Sequence, residues 1–287
     1  MVTQVNASGL EALELSTRLL QRSRSADPNS GLWEAADVQW WWRRPSRSDD
    51  LEKPFWLDED GPVAGVLFSI QGEEGQLDPI VVPGTFDLEV VLAAALDLGR
   101  AHTPAGFEIP VDDDDAVLRR LVTDAGLTAG YSDSTAWLRA DDRGAVRPPA
   151  DGFTLVDRSR RDGVPHPMRE RNGEGVAQRL AQCSLYDPTL DLAVETADGR
   201  SAGYALFWAD PVTKVGLVEP VRVEDEFQRR GLASALVSAG VERLAARGME
   251  RIKVSFGSEI AGATYRGVGF RPTSTATWYG EKAPATA

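Results

Sequence analysis

The strongest constraint on how this chain can fold is that it repeats itself. Asp60-Gly-Pro-Val-Ala-Gly65 and Asp198-Gly-Arg-Ser-Ala-Gly203 share the spacing DGxxAG, 138 residues apart. Each copy lies between two short apolar stretches, so Asp-Gly reads as the tight turn of a β-hairpin in both halves. The order then continues in parallel. A strand-like stretch (GQLDPIVV; KVGLVEPVRV) leads to a helical pattern (88–100; 232–247), a short strand (GFEIPV; RIKVSF) and a second helix that runs into Gly126-Leu127 or Gly269-Phe270. Both halves finish on a strand near a tryptophan, Trp137 and Trp278. At 287 residues the chain exceeds one comfortable core, and the repeat predicts a duplicated mixed α/β unit. Residues 141–152, rich in proline, glycine and charge, read as a linker, which places the domains at 1–148 and 152–287 with a boundary near Pro149.

Composition narrows the function. No apolar run reaches the roughly 18 residues a membrane span needs, and the N-terminus lacks a signal peptide's basic and apolar regions, so a cytoplasmic address and no membrane partner are expected. The single cysteine, Cys183, has no internal disulfide partner and reads as an inert helix residue. With only His102 and His166 beside it, no metal site is expected. A net charge of −13 opposes a phosphate backbone, so nucleic acid is not an expected partner. The acidity suits solubility and is compatible with a cationic amine ligand. The run Asp112–Asp115 reads as a helix N-terminus.

The chemistry concentrates between Lys214 and Arg247. An apolar stretch, a polar turn (EDEF), the sequence QRRGLA and an amphipathic helix follow one another. A glycine-containing turn that opens a helix presents N–H groups with no partner, backed by the positive end of the helix dipole, and such a turn binds phosphate. Gly231 permits close approach, Ala233 is small, and Arg229 and Arg230 add positive charge to an acidic protein.

The pattern Val223-x-x-Glu226-Phe227-Gln228-x-x-Gly231-Leu232-Ala233 resembles the acetyl-CoA motif of the GNAT N-acetyltransferases, and Tyr265-Arg-Gly-Val-Gly-Phe270 resembles that family's Y-x-x-x-G-F element. The resemblance implies two tandem α/β domains, each a mixed, mostly antiparallel sheet flanked by helices. It also implies an acyltransferase that uses acetyl-CoA. Gln228, Arg229, Arg230, Gly231, Leu232, Ala233 and Ser234 match the turn that holds the pyrophosphate, and Val221, Arg222 and Val223 the strand whose amides hold the thioester carbonyl. Tyr265 matches the general acid. Ser258 stands where the family often has an asparagine that contacts the cofactor. The attacking amine needs a base, and Glu219, sharing strand parity with Val221 and Val223, is the candidate; Glu224, in the polar turn, is the weaker choice. The acceptor expected is a small-molecule or peptide amine, and the oligomeric state is not readable. A non-catalytic module that binds an acyl-CoA or another ligand is the alternative.

In the N-terminal half the matching turn falls on 80–87, without QxxGxA, and Val122 stands opposite Tyr265. That half therefore reads as a degenerate copy with a structural or substrate-cleft role. Trp41 and Trp42, in the run Trp40-Trp-Trp-Arg-Arg44, and Phe207 and Trp208 in the C-terminal half, are the candidate cleft residues, with packing as the other reading.

Overall fold

The computed structural model describes residues 1–29, 31–161 and 163–282 and divides the chain into two compact units. The N-terminal unit starts with β1 (Thr3–Ala7), α1 (Gly9–Ala26) and α2 (Ala35–Trp41). It continues through β2 (Lys53–Asp58), β3 (Gly61–Gln71), β4 (Glu74–Val81), α3 (Leu88–His102), β5 (Gly106–Asp112), α4 (Ala116–Asp124) and β6 (Thr128–Arg139). The repeat follows as β7 (Phe153–Asp157), α5 (Arg169–Asn172), α6 (Val176–Leu180), β8 (Asp191–Thr196), β9 (Ser201–Asp210) and β10 (Val215–Val223). It ends with α7 (Leu232–Ala246), β11 (Arg251–Phe256), α8 (Glu259–Val268) and β12 (Arg271–Lys282). Both DGxxAG segments form hairpins as expected, joining β2 to β3 and β8 to β9. The fold is mixed α/β, with sheets flanked by helices.

Within each unit four antiparallel strands (β1–β4; β7–β10) lead to one parallel pair, β4 with β5 and β10 with β11. The next strand is exchanged. β12, last in the chain, pairs with β5 from Ala276↔Asp112 to Lys282↔Gly106. Residues 134–139 of β6 pair with β11 from Ser134↔Phe256 to Arg139↔Arg251. The units are therefore Met1–Asp133 with Ser274–Ala287, and Ser134–Thr273, and not the division near Pro149 expected from composition. The expected linker packs instead onto α7: Arg143 pairs with Glu242 at 2.7 Å, and the Arg147 N–H donates to Ser238 Oγ at 2.9 Å. Its prolines and glycines mark a pinned loop.

Each unit has its own core. In the C-terminal unit Leu192, Val194, Phe207 and Val218 meet Leu232, Leu236 and Val237 of α7. Phe207 and Trp208 are fully buried, so these two candidates belong to packing. A Cβ on Gly240 would lie 2.1 Å from the Phe207 ring, which makes glycine a condition of seating α7 on β9. Gly240→Ala should lower stability by about 1–3 kcal/mol by overpacking, measured by urea unfolding; an unchanged midpoint would refute that reading.

In the N-terminal unit α1 and α2 are fastened by a buried ion pair, Arg24 with Glu34 at 2.6 Å. The tryptophan run is divided: Trp40 is buried under Arg43, 3.8 Å from its ring, while Trp41 and Trp42 are half-buried. Trp41 meets Trp33 edge-on at 5.0 Å. Trp33 Nε1 donates to Asp78 Oδ1 at 2.6 Å and Gln76 Nε2 to Oδ2 at 3.0 Å. Burial nevertheless pushes the Asp78 carboxyl up to about 7, against those two hydrogen bonds. A folded pKa above the unfolded one gives a contribution complete below about pH 4 and lost as pH rises through 7, at most about 4 kcal/mol. Urea unfolding from pH 4 to 8 should show this decline, and Asp78→Asn should flatten it.

Candidate functional site

The site is built by a strand that changes partners. β10 stays paired with β9 along its length, through a bulge between Val218 and Val221. Its parallel ladder with β11 runs only from Val215↔Arg251 to Leu217↔Lys253. Beyond Leu217 both strands continue, β10 on β9 and β11 on β6, but no longer on each other. The edge of β10 that carries Val221, Arg222 and Val223 thus offers backbone groups outside that ladder.

The bulge changes the expected parity. Val218, Val221 and Val223 all pack with the α7 core, which strict alternation would forbid; the extra residue between them explains it. Glu219 therefore does not share a face with Val221 through simple alternation. Its carbonyl accepts from Trp208 Nε1 at 2.9 Å.

A short 3-10 turn, Asp225–Phe227, leads from β10 into QRRGLA. Arg229 has φ 62° and Gly231 φ 76°, so the chain curls through two left-handed residues before α7 begins. No side chain caps α7, and nothing lies within 4 Å of a Cβ placed on Gly231. The first N–H groups of α7, at Leu232, Ala233 and Ser234, have no side-chain cap. That is the geometry of an anion cradle. Arg229 and Arg230 are exposed beside it.

Two expected contacts are spent elsewhere. Gln228 Nε2 donates to Val223 O at 3.3 Å and to Asp225 Oδ1 at 3.0 Å, so its amide staples the turn. Ser258 caps α8, its Oγ accepting from the Ala261 N–H at 3.3 Å. Arg222 reaches Asp225 at 2.8 Å, and Glu224 pairs with Arg171 at 2.9 Å, so these charges tie the approach together.

Tyr265 lies on α8 between Phe256 and Phe270, ring centroids 5.8 and 5.9 Å away, and is 8% exposed. Burial, and then the charge of Glu219, push its phenol well above the usual value. The charge of Glu219 thus opposes ionisation of Tyr265. A wild-type minus Tyr265→Phe absorbance titration should show no phenolate below pH 10, and Glu219→Gln should lower the midpoint by removing the opposing charge. An ionisation below 10 would contradict this environment.

The N-terminal unit repeats the frame with other chemistry. β4 pairs in parallel with β5 at Gly75↔Phe107 and Gln76↔Glu108. Asp78-Pro79 follows that ladder at the same spacing as Glu219-Pro220 follows the other. The difference lies at the helix: Asp87 caps α3, its carboxylate accepting from the Glu89 N–H at 2.9 Å. A negative charge already occupies the position where an anion would sit.

Sequence reasoning missed two side-chain clusters and a buried lysine. His166, Tyr186 and Asp191 meet by hydrogen bonds, as do Trp33, Gln76 and Asp78, and Lys253 is buried where the β10–β11 ladder ends. A lysine inside the apolar alternation of RIKVSF was the one available signal. Cys183 is buried, its thiol pushed up to about 12 by burial, in keeping with an inert residue. Asp115 caps α4 through the Leu118 N–H at 2.9 Å. Among the described residues no group of three or more metal-ligating side chains comes together, and no helix is long and apolar enough to cross a membrane.

Residues 160–270 match the acetyltransferase (GNAT) family model. A mycothiol acetyltransferase of Tsukamurella paurometabola is 30% identical over 235 residues, 74% of this chain and 80% of that protein. One from Clavibacter michiganensis is 33% identical over 117 residues, 40% of this chain and 37% of the relative, so that match spans little over a third of its length. Among solved structures, a tandem GNAT protein from the clavulanic acid biosynthesis pathway superposes with TM-score 0.71 at 15% identity, covering 100% of both chains. A GCN5-related N-acetyltransferase from Sphaerobacter thermophilus gives 0.65 at 16%, covering 100% of this chain and 97% of the other.

Proposed function

Since this chain belongs to the GNAT acetyltransferase family, we propose that its C-terminal unit transfers an acetyl group from acetyl-CoA directly to a primary amine, with no acyl-enzyme. The observation that carries the reading is the uncapped N-terminus of α7 beside the edge of β10 that leaves β11 at Leu217. An anion fits the cradle because the space before Gly231 is open and its donors have no side-chain cap. Acetyl-CoA supplies the activated thioester. The backbone of Val221 to Val223, on the β10 edge outside the β11 ladder, orients its carbonyl.

The chain's own residues then handle two protons. As the amine nitrogen bonds to the acetyl carbon and the carbon–sulfur bond breaks, Glu219 takes a proton from the amine and Tyr265 gives one to the departing thiolate. The pairing supports a sequence for these events. While Glu219 is charged, the phenol holds its proton; once Glu219 has been protonated, the opposing charge is gone and the phenol is a stronger acid when the thiolate forms.

The acceptor is a small-molecule or peptide amine. The relatives' name makes mycothiol and amines related to it the first members of a test panel. The N-terminal unit, with its Asp87 cap, holds no coenzyme A and serves a structural or substrate-positioning role.

Thiol release tests the reading. Tyr265→Phe should lower kcat a hundredfold or more with little change in the KM for acetyl-CoA. Gly231→Glu, which forces a side chain at φ 76° and a negative charge onto the cradle, should raise that KM at least tenfold. Tight coenzyme A binding with no turnover for any amine, and Tyr265→Phe without effect, would establish a binding module instead.

A further inference from the structure

The C-terminal unit holds a second feature that the transfer chemistry does not use. A cavity of about 460 Å³ is walled by Arg158, Arg161, His166, Arg169, Gln178 and Tyr186. Leu192 and Val194 of β8 join the α7 core, so by alternation Asp191 faces the other side of the sheet, where the cavity lies. Its floor is rigid and satisfied. Asp191 Oδ2 accepts from His166 Nε2 and from the Tyr186 hydroxyl, both at 2.8 Å. The Met168 N–H donates to His166 Nδ1 at 3.1 Å, which leaves Nε2 as the ring nitrogen that donates to Asp191. The His166 and Asp191 side chains are 2% and 1% exposed.

Above that floor the charge is cationic. Arg161 pairs with Glu195, and Arg169 with Glu174 at 3.4 Å. Arg158 donates only to backbone carbonyls, Val164 at 2.8 Å and Pro165 at 3.4 Å, and has no carboxylate partner among the described residues. A guanidinium with no counter-ion among the described residues, lining a cavity in a chain of net charge −13, selects for an anion.

Strand register places the cavity relative to the reaction. Asp191 pairs with Leu206 on β9. Leu206 lies between Ala205 and Phe207, whose β10 partners are Val221 and Val218, so the bulge residues Glu219 and Pro220 fill the interval beside it. The cavity floor and Glu219 thus share one row of the sheet, two strand spacings or about 10 Å apart.

We propose that this cavity is a specificity subsite for an anionic group, a carboxylate or a phosphate monoester, carried by the amine acceptor, with Arg158 as its principal ligand. This rests on the acetyl-transfer reading. The acceptor it describes is a small amine whose anion lies several ångströms from the reacting nitrogen.

Two measurements on the full chain test it. In the first, protein saturated with coenzyme A, so that the α7 cradle is filled, is titrated calorimetrically with inorganic phosphate and separately with succinate. At least one should bind saturably, the stronger identifying the anion. Arg158→Gln and the more exposed Arg169→Gln should each weaken it fivefold or more. In the second, thiol release is compared for matched amines with and without a phosphate or carboxylate. The anionic member should be favoured at least tenfold in kcat/KM, and Arg158→Gln should erase the preference through KM while kcat holds. Absence of anion binding, indifference to both replacements, or preference for the neutral amines would overturn the proposal. If no amine releases thiol, the transfer reading fails and the acceptor role fails with it, while the titration still decides whether the cavity is an anion site.

Discussion

The candidate site depends on one divided loyalty: β10 holds β9 along its whole length and gives up β11 after Leu217. A strand normally satisfies both edges or leaves one to solvent. Here one edge is paired, then released inside the sheet, so backbone donors are presented from a frame that the β9 ladder keeps rigid. The bulge at Glu219-Pro220 sits in that released stretch. The turn Asp225–Phe227 and QRRG then lead from the end of β10 to the uncapped start of α7. The free edge at Val221–Val223 and the bulge that carries Glu219 thus follow from one change of partner.

The two units share a frame and differ in a few side chains at corresponding places. Both keep the short parallel ladder and an acid-proline pair after it. In the N-terminal unit Asp87 supplies its own carboxylate to the helix start, while Trp33 and Gln76 enclose Asp78. In the C-terminal unit Gly231 precedes a helix start with no side-chain cap, and the charge of the acid holds the Tyr265 phenol up. The electrostatic sign at a helix terminus, within one shared topology, divides them.

Much of this was legible in the residues. The DGxxAG repeat predicts the two hairpins, and QRRGLA before an amphipathic run predicts a glycine turn opening a helix. The exchange of β6 and β12 was not legible, because the order of elements in the repeat is the same whichever sheet a strand joins. The bulge was hidden because period-2 alternation assumes one residue per step. Phe207 and Trp208 looked like wall candidates because aromatic residues after a hairpin carry no local mark of burial; for Phe207 the facing Gly240 decides it, 33 residues away. The His166–Asp191 and Trp33–Asp78 contacts join residues 25 and 45 positions apart, a separation no local motif spans.

Strand exchange also bears on how the two halves of the chain depend on each other. The last strand of the N-terminal unit is the tail of the chain, and residues 134–139 close the C-terminal sheet along β11. Deleting the first half at its apparent linker would strip β11 of that neighbour and leave β12 without β5. The duplication is therefore self-locking: the first copy cannot be discarded at the linker without removing strands with which the remainder is paired.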